Sequence, residues 1–337
     1  MRFVITLMCC IWIVGCDSVD PRLHEIDDYR SRIFSLLEIE ETLVSVNTSP
    51  YPDKRFMLAS IERVEINWSE FFSSINCDDL QTVIAEKNSP LGRTREAATQ
   101  LYFELKTLKL LTQCEHSLSQ KSPEWVSAIR IKKENMKHVV WNLTWASNYW
   151  RGLFSFSQRD NQVSQNSVNH VVAELELLNR FISNERLPEK AQWFNVFQSI
   201  ESHRAVFGSA IYEGLGHLAY MISLNEALAL HQQAICPQNI PTRQFDYLTN
   251  VLTKFYTTKV QREQVELIDA LKAVENYIET NMFNSIDNNK LNEWLALHKI
   301  HSSPKLSEQL TNRIREHVTL WQAIMKSCGS SLRKLNE

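Results

Sequence analysis

The chain is poor in glycine, with 7 residues in 337, under a third of the roughly 7 % that ordinary proteins carry. Hairpin turns and phosphate-cradling loops draw on glycine first, because it alone takes a left-handed backbone without steric cost. The shortage argues against hairpin-built sheet, predicts few tight turns and favours long helices. Gly214-x-Gly216 lacks the further glycine and the preceding strand of a dinucleotide loop, and no Gly-Lys-Ser/Thr follows any glycine. CxxC, HExxH and GxSxG are missing too, which removes common zinc and serine-hydrolase signatures. No cofactor is implied. A formal charge of −3 gives no general pull toward nucleic acid. Beyond the N-terminus no apolar run is fit for lipid: Val206 to Leu230 carries Glu213, His217, Asn225 and Glu226.

What is present begins at the N-terminus. Arg2 precedes an apolar run, Phe3 to Val14, too short to span a bilayer but suited to the core of a secretory signal. It ends in Ile13-Val14-Gly15-Cys16, which resembles the bacterial lipobox, with Cys16 as the residue that takes the lipid. The expected organisation is a lipoprotein signal peptide over 1–15, a lipidated N-terminus and short linker over 16–20, and one domain over 21–337. Asp17 resembles the signal that retains enteric lipoproteins at the inner membrane, the outer membrane being the alternative.

Cys9 and Cys10 would leave with the signal, so four cysteines remain for an oxidising compartment: Cys77, Cys114, Cys236 and Cys328. Of the three possible pairings, Cys77–Cys114 and Cys236–Cys328 each join segments that a helical hairpin or a returning helix brings together. The first pair needs an extended loop, because Cys77 lies nearer the turn at Asn88–Gly92 than Cys114 does. A zinc site is the other reading of the thiols, without a CxxC or HxxxH pair to support it.

Apolar spacing predicts a helix from Pro21 to Val44 with Asp20 as its cap, a loop over Asn47–Asp53, and a helix from Asp78 to Lys87. Between them, Met57, Ile61, Val64, Trp68, Phe71 and Phe72 fit a helix, yet Arg63 to Asn67 alternates as a strand does. Further helices are expected over Glu96–Ser117, Pro123–Phe154, Ser167–Ser183, Pro188–Ala234, Thr242–Met282 and Pro304–Cys328. The fourth is too long to be straight, and Gly208, Gly214 and Gly216 are its candidate kinks. With no repeat or composition shift, the fold class is all-α: a single irregular domain of eight to ten helices.

Ile84-Ala-Glu-Lys-Asn-Ser-Pro-Leu-Gly-Arg93, followed by Gln100-Leu-Tyr-Phe-Glu-Leu105 and Cys114, resembles a domain-of-unknown-function family of gammaproteobacterial lipoproteins. The family's Asn-Ser-x-Leu-Gly-Arg element, its cysteine before the preceding helix (Cys77) and its Tyr-Pro-x-x-Arg loop (Tyr51, Pro52, Arg55) are matched. Its paired prolines near Glu96–Ala97 are absent. The resemblance covers the mature chain and implies a location, not an activity.

Asn88, Ser89, Gly92 and Arg93, with Tyr51 and Arg55, are the candidate binding residues. The plain reading of the first four is a helix stop, with Asn88 left-handed, Pro90 forbidding continuation and Gly92 permitting the turn. Ser209, Glu213, His217 and Tyr220 form one polar stripe of a helix, either an acid–base pair with neighbours or a solvent-facing or hydrogen-bonded stripe. His298-x-x-His301 with Glu293 has metal-ligand chemistry, but Pro304 suggests a loop. Trp141, Trp145, Tyr149, Trp150, Phe154 and Phe156 read as core or as an aromatic groove for a glycan or a lipid tail. Arg130, Lys132, Lys133 and Lys137 read as a solvated face or a patch for anionic headgroups. Together these point to a membrane-anchored, non-enzymatic binding or scaffold protein of the periplasm. Its partners are membrane lipid through Cys16 and an envelope protein, lipid or glycan; an enzyme using Glu213/His217 or the Asn88–Arg93 loop is the second reading.

Overall fold

Asp20 caps the first turn as the Asp-Pro pair predicts, accepting the Arg22 backbone N–H at 3.0 Å. The computed structural model describes residues 20–42, 44–64, 67, 77–93, 96–120, 122–157, 163–183, 187–282 and 286–329. The signal segment 1–15, Cys16, Asp17, Trp68, Phe71 and Phe72 lie outside the described residues, as does the Arg93 side chain. The Arg22 guanidinium is 2 % exposed. It pairs with Asp20 at 2.8 Å, reaches Ser209 Oγ at 3.4 Å and lies over the Tyr212 ring at 4.0 Å.

Helix α1 (His24–Leu36) buries Ile26, Tyr29, Ile33 and Phe34 and stops short of the expected Val44. Glu38 takes a φ of 55°, and the Ile39 N–H reaches back to the Phe34 carbonyl at 2.9 Å. This is a Schellman closure with glutamate where glycine is usual. Lys299 (φ 60°) ends a later helix in the same way, and Ala205 (φ 64°) precedes another. The expectation of few tight turns fails here, because larger residues take the left-handed positions.

After a short helix, Lys54–Met57, come α2 (Asp78–Asn88), α3 (Ala97–Gln113) and α4 (Pro123–Leu143), with short helices Pro90–Arg93 and Glu115–Ser119 between them. The helix expected to Phe154 breaks at Thr144, whose hydroxyl bonds the Val140 carbonyl at 2.7 Å, and resumes as Asn148–Leu153. Then follow α5 (Gln165–Ser183), α6 (Lys190–Ser202) and α7 (Val206–Ile235). Helix α8 covers 243–282 and is π-helical over Leu252–Val260. Thr249, Thr253, Thr257 and Thr258 there turn their hydroxyls onto carbonyls one turn back, a competition that loosens the ladder. The chain ends with α9 (Asn289–Leu297) and α10 (Leu306–Ser327), the latter starting just past the expected Pro304. Among the described residues there are ten such helices and no strand, and no helix is long and apolar enough to cross a membrane.

Helix α7 is the axis. Apolar on all sides, it is packed by α1, α8 and α10. The break in the expected 188–234 helix falls at His203–Ala205. The glycines do not kink α7: it runs unbroken through Gly208, Gly214 and Gly216 because neighbours press on them. At Gly208 a Cβ would collide with the Ser155 carbonyl. Cys236, just past α7, pairs with Cys328 at the end of α10, with Cα atoms 5.5 Å apart.

A separate apolar cluster of Cys77, Leu80, Leu111, Leu118, Trp125, Ala128 and Ile129 lies between α2, α3 and α4. It is fastened by Cys77–Cys114, whose Cα atoms are 6.5 Å apart. Both expected cysteine pairs are therefore brought together. Along α4 runs the segment after Met57, neither helix nor paired strand through Val64. Asn142 accepts the Ala59 N–H (2.8 Å) and donates to its carbonyl (2.9 Å). Asn135 does the same to Glu62 at 3.2 and 2.7 Å. Seven helical residues rise about 10 Å, as do three extended ones. Two carboxamides thus stand in for a neighbouring strand.

Candidate functional site

The segment 61–64 walls a cavity of about 880 Å³. Its other sides are Ile84, Ala85, Lys87, Asn88 and Ser89 of α2 and its end, Glu104, Thr107 and Leu111 of α3, and Trp125, Ala128 and Lys132 of α4. The volume is that of a small-molecule site. Charge gathers on one side: Glu104 receives Lys87 at 2.5 Å and Lys132 at 2.7 Å. Burial pushes the Glu104 carboxyl up, but Lys132 and Lys87 outweigh it and hold the group below the ordinary value. Burial also pulls the Lys87 ammonium down, opposed by Glu104 and assisted by Lys132.

Asn88 and Ser89 therefore line a cavity, although the local geometry differs from the expected helix stop. Asn88 is the last residue of α2 and is not left-handed, and Gly92 takes no positive φ. Ser89 Oγ donates to the Glu86 carbonyl (2.8 Å) and accepts the Gly92 N–H (3.0 Å), and Pro90 starts the next short helix. Gly92 is needed because a Cβ would strike the carbonyl oxygens of Glu86 and Lys87.

Tyr51 belongs elsewhere, to a second cavity of about 860 Å³ that Pro52, Arg151, Phe154, Phe156 and Trp294 help line. Its hydroxyl donates to the Trp145 carbonyl at 3.0 Å and its ring stacks on Phe154 at 5.2 Å. Arg55 is exposed and 3.8 Å from Asp53. Of the candidate binding residues, Asn88 and Ser89 line the first cavity and Tyr51 the second, while Arg55 and Gly92 line neither. Of the aromatic series, Trp141, Trp145, Trp150 and Phe154 are core, Tyr149 packs on Phe197, and Phe156 reaches the second cavity. Arg130, Lys132 and Lys133 are each paired with a glutamate, Glu134, Glu104 and Glu115, while Lys137 is exposed.

Glu213 and His217 are buried, as are Ser209 and Tyr220, so the stripe does not face solvent. Glu213 accepts the Val163 N–H at 2.9 Å, and burial pushes its carboxyl up to about 8. His217 Nδ1 has no hydrogen-bond partner among the described residues, and burial lowers the ring to about 4. Neither residue lines either cavity. His298 is buried with both nitrogens engaged, Nδ1 on the Trp294 carbonyl (2.7 Å) and Nε2 accepting the Ser49 N–H (3.1 Å). His301 is exposed, and Glu293 pairs with Lys290 at 2.7 Å. Among the described residues no three metal-capable side chains cluster.

Two arrangements escaped the sequence. The Lys87–Glu104–Lys132 triad joins three helices with no local spacing to announce it. Tyr29, Asn225, His317 and Trp321 form a buried network: His317 Nδ1 is 2.8 Å from Asn225 Oδ1, and Nε2 is 2.9 Å from Tyr29 Oη and 3.1 Å from Trp321 Nε1. The Asn225 amide donates to the Arg313 carbonyl at 2.9 Å, so its oxygen faces His317 and the proton belongs on Nδ1. Polar residues inside apolar helices were the available signal.

No curated protein and no solved structure matches the chain. The model of a family described as a protein of unknown function (DUF3080) matches residues 26–332. That span runs from within α1 to beyond α10 and takes in both cavities and both cysteine pairs, and the chain belongs to the DUF3080 family.

Proposed function

We propose that this is a lipoprotein anchored through Cys16 to the periplasmic face of the inner membrane, where it binds an envelope component without chemistry of its own. The observation that carries the binding reading is the cavity between α2, α3 and α4. It gathers Asn88 and Ser89, an apolar floor and a charged side in one place. The anchor reading rests on Ile13-Val14-Gly15-Cys16 at the end of the apolar run, and two cysteine pairs suit an oxidising compartment. Glu213 and His217 line neither cavity among the described residues, which favours the binding reading over an enzyme that uses that pair.

Two variants test the proposal in a deletion strain. Cys16→Ala is expected to lose membrane association or stall in processing, and unchanged fractionation with no acyl group on the wild type refutes the anchor. Ala85 lines the cavity and is exposed, so Ala85→Trp fills the space without entering the core. It is expected to fold normally by circular dichroism and to fail in complementation; full complementation refutes the cavity.

A further inference from the structure

We infer that the cavity between α2, α3 and α4 holds a single-chain amphiphile with an anionic head. This rests on reading that cavity as the binding site. Two lysines there share one carboxylate, Lys87 and Lys132 on Glu104, with side chains only 28 % and 18 % exposed. Around the cavity Arg63 and Glu62 offset each other, so one ammonium charge remains in excess among the described lining residues. Two ammonium groups on a single carboxylate leave positive potential beside the cavity. An anion beside the two lysines completes the alternation that Glu104 begins. Apart from Asn88, Ser89 and Thr107 the rest of the lining is apolar, with Trp125, Ala128, Leu111, Ile84 and a partly exposed Ile61. A small inorganic anion leaves that surface wet. A ligand with a head for the lysines and one alkyl tail for the floor covers both parts.

The experiment uses all residues from Asp17 onward, exported behind a cleavable signal so that both disulfides form. Binding is measured by calorimetry with lysophosphatidylglycerol and with zwitterionic lysophosphatidylcholine, each below its micelle concentration. The expected result is at least tenfold tighter binding of the anionic lipid, lost in Ala85→Trp and weakened about tenfold by Lys132→Gln. Glu104→Gln gives the opposite sign: with the competing carboxylate gone, the anionic lipid binds tighter and raises the melting temperature more than in wild type. A merely structural triad loses affinity on that change. Equal affinity for the two heads, or weaker binding by a folded Glu104→Gln, overturns the inference. If neither lipid binds while Ala85→Trp still fails to complement, the amphiphile is wrong and the cavity stands. If neither binds and Ala85→Trp complements, both readings fall.

Discussion

Three side chains in the interior are held in the protonation state that water would not give them at neutral pH or slightly below. Glu213 is raised to about 8 by burial, against the Val163 N–H and Arg22; His217 and His317 are lowered by burial to about 4 and about 3. The signs oppose each other. A carboxyl whose folded value is raised contributes stability below its ordinary 4.5 and loses it as pH climbs toward 8. A histidine whose folded value is lowered contributes above 6.5 and loses it as pH falls toward 4. Two histidines outweigh one carboxyl between those limits, and each unbalanced proton is worth about 1.4 kcal/mol per pH unit. Urea unfolding is therefore expected to show maximal stability near pH 6.5, falling on both sides. In Glu213→Gln the fall between pH 6.5 and 8 should be much reduced; an unchanged slope means that Glu213 is not the group responsible. None of this was legible in the spacing of Ser209, Glu213, His217 and Tyr220. Four polar residues at helical intervals look alike whether they face water or a core, and α7 buries these four.

Among the elements, the segment along α4 depends most openly on particular bonds. Asn135 and Asn142 each satisfy one backbone N–H and one carbonyl. Replacing either by leucine strands two backbone groups, at about 1–3 kcal/mol apiece where water cannot reach them. Asn142→Leu should speed hydrogen exchange at Ala59, and Asn135→Leu at Glu62, while α7 amides keep their protection. Equal protection in the variants means that the ladder does not hold the segment. Of the alternating stretch Arg63 to Asn67, the described Arg63 and Val64 are in neither helix nor paired strand, and Glu65 and Ile66 lie outside the described residues. The segment before it was ambiguous because what holds Ala59 and Glu62 is a pair of side chains on a helix, and an extended chain normally implies a neighbouring strand. The longer helices were legible because period and caps agree, as where Thr242 accepts the Phe245 N–H; the nine-residue α9, capped by Asn288, was not among the expected helices. The stop of α1 was not, since Glu38 gives no warning of a left-handed turn.

Over the whole molecule, stability is divided between a large core around α7 and a small cluster under the cavity. The two cysteine pairs serve different parts. Cys236–Cys328 closes 92 residues of the main core, whereas Cys77–Cys114 closes 37 around the small cluster. Disulfides of such loop lengths stabilise by about 2–5 kcal/mol. A Cys77→Ser/Cys114→Ser double variant is expected to loosen α2 and the cavity before the core melts. Calorimetry should show an early transition absent from wild type; one sharp transition refutes the division. The pairing itself was legible from helix order alone, because hairpins of helices bring such positions together. The cavity was not, as its walls come from four separate stretches of chain.

Arg22 makes the start of the domain a rigid fitting. Its guanidinium, wedged between Asp20 and the Tyr212 ring, rivets the first described turn to α7. From Cys16 to Asp20 there are four peptide steps, a tether of at most about 14 Å. On the anchoring proposed at Cys16, the domain would be a bracket held close to the membrane, with too little chain before Asp20 to act as a leash. Under that proposal, load drawn through the anchor would pass by way of Arg22 into α7, and whatever the domain binds would have to come to the membrane surface.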